Sequence, residues 1–173
     1  MIITLIGYRG TGKSTIAAPM AERLGYDWID ADVELEARAR RSIKEIFDTD
    51  GEPEFRRLER ETLVALLERD NIIIAAGGGA ILNEETRNDF QNAGHVVWLQ
   101  ASADSIESRL YGDSTTGQRR PNLTSRGGRA EIEDLLKIRE PLYQQCATIS
   151  VSTDKLTPDE IVDHVIHQIR SDS

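Results

Sequence analysis

The sequence predicts an α/β fold in which a parallel sheet is flanked by helices, and three observations predict it. Strand-like apolar runs alternate with stretches of helical periodicity, the order of strand–helix–strand units joined by right-handed crossovers. The runs Ile72 to Ala76 and Val96 to Leu99 are apolar at consecutive positions, as in strands covered on both faces. The opening run, Met1 to Ile6, leads directly into a glycine-rich turn and then an amphipathic segment.

Taken in order, residues 1–6 form the first strand and 13–24 the first helix, stopped by Gly25. Residues 26–30 make a short strand that runs into Ala31 and Asp32. Residues 33–40 and 42–48 read as two short helices broken near Arg41-Ser42, with Ser42 able to cap the second. A longer helix begins at Glu52-Pro53-Glu54, because proline in a first turn has no intrahelical N–H bond to lose. Its apolar residues Phe55, Leu58, Leu63, Leu66 and Leu67 recur at helical spacing. The run Ile72 to Ala76 is the third strand and ends in Gly77-Gly78-Gly79. Asn83 caps a helix to about 93, residues 95–99 form the fourth strand, and a helix from Ser102 or Ala103 carries Arg109 near its end. Periodicity then stops over 111–128, which is polar and glycine-rich. A segment of that kind inside a compact domain is a functional lid or is disordered. A helix over 129–144, a strand over 148–152 and a last helix with Thr157 as N-cap and Pro158 in first position complete the chain. Neither a repeat nor a linker divides it, so a single domain over residues 1–173 is expected.

Composition narrows the function. The formal net charge of −9 argues against a nucleic-acid surface, which needs a basic face to neutralise phosphates. Apolar runs fall short of the roughly 18 residues of a membrane span, so no membrane partner is expected. The opening residues lack a basic leader and a cleavage site, so they are expected to form a core strand and not a signal peptide, and the lone cysteine fits the reducing cytoplasm expected for this protein. The only cysteine, Cys146, cannot form an internal disulfide and reads as a small buried hydrophobe. His95, His164 and His167 show no zinc-type spacing with it. On this acidic background Arg56, Arg57, Arg109, Arg119, Arg120 and Arg139 lie near glycine or proline punctuation. Focused positive potential on a negative globule suits a small anionic ligand.

The strongest motif is Gly7-Tyr8-Arg9-Gly10-Thr11-Gly12-Lys13-Ser14-Thr15, a phosphate loop set between a strand and a helix as its chemistry requires. Glycines let several N–H groups converge on one anion, and the helix N-terminus adds its dipole. Lys13 is placed to reach the β- and γ-phosphates and Ser14 to ligate Mg²⁺. Asp30 and Asp32 either cap a helix, with Asp32 as N-cap, or divide two tasks: one supports the Mg²⁺ shell and the other orients or deprotonates an acceptor hydroxyl. Arg56 belongs either to a solvated charged face or to a clamp on a carboxylate or phosphate, oriented by Glu59 one turn on. Gly77-Gly78-Gly79 is either a tight turn or a place where backbone meets a ligand with no side chain between. Arg120 is either a basic loop tip or a lid arginine, and Arg139 either pairs with acids on its own helix or serves the site. These loops follow successive parallel strands, where ligands of such sheets bind.

In this order, Gly7-x4-Gly-Lys-Ser-Thr, Asp30-Ala-Asp32, Phe55-Arg56-Arg57-Leu58-Glu59, Gly77-Gly78-Gly79-Ala80, Arg120-Pro121 and Arg139-Glu-Pro-Leu-Tyr143 resemble the shikimate kinases over nearly the whole chain. The resemblance implies a three-layer P-loop kinase fold with a five-stranded parallel sheet, a substrate-binding region over 31–61 and a mobile lid over 111–126. It implies transfer of a phosphoryl group from ATP, with Mg²⁺, to the 3-hydroxyl of shikimate on the route to chorismate and aromatic amino acids. Arg56 and Arg139 would grip shikimate's carboxylate, Asp32 would hold its ring hydroxyls and act as base, and Gly77, Gly78 and Gly79 would supply backbone contacts. Gly10, Thr11, Gly12, Lys13, Ser14 and Thr15 would hold ATP phosphates, Ser14 and Asp30 the Mg²⁺ shell. Arg120 would be the lid contact to ATP, and Arg109 would lie against adenine. A monomer is expected. The chain departs from many members at Asn122 and at Leu156, two residues before Pro158. The residues taken alone also admit a kinase of gluconate or of a nucleoside monophosphate, or a switch that hydrolyses ATP with no acceptor.

Overall fold

The computed structural model describes residues 1–112 and 128–171. Five strands, β1 (Ile2–Ile6), β2 (Asp27–Asp30), β3 (Ile72–Ala75), β4 (Gly94–Gln100) and β5 (Ile149–Ser152), form one sheet in the order β2-β3-β1-β4-β5. All four pairings are parallel, with Ile3 opposite Ile73 and His95, and Val97 opposite Ile149. The apolar runs occupy the middle: β1 and β3 are buried along their whole length. The edges differ as edges should. Trp28 on β2 is exposed, and β5 alternates buried Ile149 and Val151 with exposed serines.

The helices are α1 (Lys13–Leu24), α2 (Ala31–Ala39), α3 (Ile43–Leu67), α4 (Glu84–Ala93), α5 (Ala103–Gly112), α6 (Gly128–Cys146) and α7 (Pro158–Ser171). Side-chain alternation along β1 divides the core. Ile3 and Leu5 pack with Ile16 and Met20 of α1 and Val162 and Val165 of α7. Ile2 and Ile6 pack on the opposite face with Leu63 and Leu66 of α3, Phe90 of α4 and Tyr143 of α6. The result is three layers, helix–sheet–helix, as expected.

Local chemistry accounts for the departures from expectation. α2 starts at Ala31 because Asp30, not Asp32, is its N-cap: Asp30 Oδ1 accepts from the backbone N–H of Asp32 at 3.0 Å. The helices expected over 42–48 and from 52 run as one element broken at Gly51, with φ +83° and ψ 176°. A 3₁₀ turn, Ala80–Leu82, follows the glycines without having been anticipated. Residues 111 and 112 finish α5, and the rest of the expected lid, with Arg119 and Arg120, lies outside the described residues.

β1 lies between β3 and β4, so the chain leaves it in one direction and later returns to its other side. That is a topological switch point, and the crevice for a ligand opens beyond the carboxyl ends of these strands.

Candidate active site

The phosphate loop is built by its backbone. Gly12, the N-cap of α1, has φ +93° and offers no capping side chain, so the first N–H groups of α1 are left for an anion. Thr11 is buried, and its Oγ1 donates to the carbonyl of Tyr8 at 2.8 Å, tightening the loop. Lys13 Nζ arches back across it, donating to the carbonyls of Gly7 at 2.8 Å and Tyr8 at 2.9 Å. Ser14 Oγ donates to Asp30 Oδ2 at 2.7 Å, which joins the loop after β1 to the loop after β2. A hydroxyl and a carboxylate this close to a phosphate cradle fit Mg²⁺, a hard cation usually held by one or two protein oxygens, substrate phosphates and water. Thr15 follows on the exposed side of the first turn. Arg109 Nη1 donates to the carbonyl of Gly10 at 3.2 Å and to Thr153 Oγ1 at 3.0 Å, and Nη2 donates to the Thr153 carbonyl at 3.1 Å. Arg109 therefore ties the loop to the segment after β5.

On the other side of the crevice, α3 delivers two adjacent arginines to different places. Arg57 is exposed and paired with Glu54 and Glu61. Arg56 turns inward: Nη1 donates to Glu59 Oε2 at 2.7 Å, and Nη2 reaches Glu52 at 3.2 Å. The carboxylate of Glu59 is buried, as expected of a group that orients its neighbour. Both Nη atoms of Arg56 would lie 2.6 Å from a β-carbon on residue 79, so only glycine there admits the guanidinium in this place. A cavity of about 450 Å³ opens beside it, lined by Glu52, Arg56, Glu59, Arg60 and Gly79.

The glycine turn is fixed from α6. Tyr143, buried and stacked on Trp98 with centroids 5.8 Å apart, donates its hydroxyl to the Gly78 carbonyl at 2.6 Å. A β-carbon on residue 78 would meet the Gly7 carbonyl at 3.3 Å and the Arg9 nitrogen at 3.4 Å. The turn is thus pressed against the phosphate loop, with Gly77 at its start. Arg139, also on α6, is only 5% exposed and lies over the Tyr8 ring, 5.7 Å from the centroid. Its Nε is buried without a partner among the described residues. Burying a cation with an unpaired N–H is costly, and a ligand carboxylate would remove that cost.

The structure therefore gathers Gly10 to Thr15, Asp30, Asp32 on the first turn of α2, Arg56, Gly77 to Gly79, Arg109 and Arg139 at one end of the sheet. Arg120 lies outside the described residues. Sequence reasoning missed Tyr8 as the platform under Arg139, and Tyr143 as the clasp on Gly78. A tyrosine set among glycines was the available signal for Tyr8, while Tyr143 closes the run from Arg139 but its contact with Gly78 spans 65 positions and is not written in that run.

Three comparisons bear on this site. The family model described as shikimate kinase matches residues 9–170. A shikimate kinase of Rhodopirellula baltica is 41% identical over 162 residues, 94% of this chain and 87% of that protein. One of Thermobifida fusca is 41% identical over 169 residues, 97% of this chain and 94% of the relative. Among solved structures, shikimate kinase from Acinetobacter baumannii in complex with shikimate superposes with a TM-score of 0.92 at 32% identity, covering 99% of this chain and 94% of that one.

Proposed function

This chain belongs to the shikimate kinase family, and we infer from its site that it transfers the γ-phosphoryl group of ATP to the 3-hydroxyl of shikimate. The products are shikimate 3-phosphate and ADP, a step toward chorismate and the aromatic amino acids. The observation that carries this reading is the meeting, at one end of the sheet, of a phosphate loop and a buried guanidinium, that of Arg139, whose Nε–H lacks a partner among the described residues.

Gly10, Thr11, Gly12, Lys13, Ser14 and Thr15 bind the phosphates of ATP, and Lys13 neutralises charge on the β- and γ-groups. Ser14 and Asp30 hold Mg²⁺, which when bound supplies positive charge to the phosphate oxygens. Arg56 and Arg139 grip the carboxylate of shikimate, and Gly77, Gly78 and Gly79 bring backbone against its ring. Asp32 holds the ring hydroxyls and steers the 3-hydroxyl, receiving its proton as the new phosphate ester forms. Arg109 borders the nucleotide base through its hold on Gly10, and Arg120 contacts ATP from a lid over 111–126. Little covalent help is needed, because phosphoryl transfer depends on positioning and charge stabilisation. Residues 31–61 form the acceptor-binding region of a single domain, 1–173. The working form is a cytoplasmic monomer with shikimate and ATP as its small-molecule partners, and no helix among the described residues is long and apolar enough to cross a membrane.

A coupled assay of ADP release tests the reaction, with shikimate, gluconate or a nucleoside monophosphate as acceptor. Release should require both shikimate and Mg²⁺. An equal rate without shikimate would instead identify an ATP-hydrolysing switch.

A further inference from the structure

Arg9 sits inside a phosphate loop, where the phosphates need only backbone N–H groups, yet its side chain is four-fifths buried. Its Nη2 donates to Glu131 Oε1 at 3.3 Å, and the side chain of Glu131 has no exposed surface. Glu131 and Arg139 both belong to α6, eight positions apart, so one helix holds Arg9 and carries the acceptor-side guanidinium. Arg9 and Arg139 share one platform: their Cζ atoms lie 6.0 Å and 5.7 Å from the centroid of the Tyr8 ring. Arg9 Nε is buried without a partner among the described residues, as is Arg139 Nε. Its backbone nitrogen abuts Gly78.

Among the described residues the charges around that ring do not balance. Burial pushes the Tyr8 phenol above its ordinary value of 10.0, against the pull of the two guanidinium groups, so the phenol is neutral. Among the described residues two guanidinium groups, Arg9 and Arg139, then act on the ring beside one carboxylate, Glu131, and in a poorly solvated setting the surplus positive charge favours an anionic ligand. We infer that Arg9, anchored by Glu131, is a specificity-determining residue of the acceptor site, adding to Arg56 and Arg139 a further positive charge that selects a carboxylic acid over a neutral analogue. Arg9 acts through the Tyr8 platform and its electrostatic field, as a positioning residue. This rests on the reading above in which Arg139 holds the carboxylate of shikimate.

Calorimetric titration of shikimate and of its methyl ester, which has the same ring but no charge, separates a charge effect from a general weakening. Wild-type protein should prefer the acid. Arg9→Met should weaken acid binding about tenfold, as expected for loss of one nearby charge in a poorly solvated site, while ester and ADP binding change by less than about threefold. Arg9→Lys, which keeps the charge, should retain the preference within about threefold. If Arg9→Met proves too unstable to titrate, Arg9→Gln makes the same comparison in a polar side chain. Acid and ester weakening together would overturn the inference, because Arg9 would then be merely structural. An unchanged acid preference in both neutral variants would overturn it equally. Wild-type protein that binds neither ligand would overturn the acceptor assignment itself, a different failure seen before any variant is made.

Discussion

Arg56 and Arg57 are chemically identical neighbours on α3, yet one reaches across the crevice to Gly79 and the other pairs with Glu54 and Glu61 in solvent. Residue type made both candidates; only the packing of α3 against the glycine turn separates them. Arg56→Ala should raise the KM for shikimate by the equivalent of about 2–5 kcal/mol with the KM for ATP nearly unchanged, since a buried carboxylate loses its partner. Steady-state kinetics with each substrate varied in turn checks this. Gly79→Ala tests the same contact from the other side. The added methyl would stand 2.6 Å from the end of a flexible side chain, so Arg56 swings away and the fold survives. Shikimate affinity should fall about tenfold or more while the melting temperature shifts little, a split that calorimetry and thermal melts can read. Arg139 was legible as a candidate from its motif, but its burial on Tyr8 joins residues 131 positions apart and has no local trace in the sequence.

Helix starts follow short-range rules, which is why most of them could be read directly. Ser42 and Glu45 form a reciprocal capping box at the start of α3, and Thr157 and Glu160 do the same for α7. The miss at α2 has a local cause too: Asp30 and Asp32 are both good caps, and β2 ends at Asp30, whose carboxylate accepts from the backbone N–H groups of Asp32 and Val33 and so takes the N-cap position. Asp30 thus caps α2 and meets Ser14 with the same carboxylate. Asp30→Ala should lower stability by about 1 kcal/mol and raise the Mg²⁺ concentration needed for activity, measured by urea denaturation and by a metal titration of rate. Acid should loosen α7 in a predictable direction. The backbone N–H and then the hydroxyl of Thr157 hold the Glu160 carboxyl below its ordinary value of 4.5. A depressed acid stabilises the fold above the unfolded-state value, and that contribution disappears as the pH falls through the lower folded-state value. Thermal melts of wild-type and Glu160→Gln protein between about pH 6 and 3 should therefore converge toward the acid end.

At the scale of the whole molecule, the central strands carry the site by holding three loops at one level. Ile73 is fully buried and lies opposite Ile3 and Trp28 in the sheet. Ile73→Ala should cost about 2–5 kcal/mol in chemical denaturation, with the ligand affinities of the folded fraction largely kept. The amino-acid order by itself determined the alternation of strands and helices, the phosphate loop and the set of charged residues available for chemistry. Apolar periodicity, glycine and capping are properties of a few neighbouring residues, so they are written locally. Tertiary structure alone decided the strand order, the inward turn of Arg56, the clasp of Tyr143 on Gly78 and the grouping of Arg9, Tyr8, Glu131 and Arg139. Each of these joins distant segments and depends on which surfaces meet when the helices close over the sheet, which no short stretch of sequence encodes.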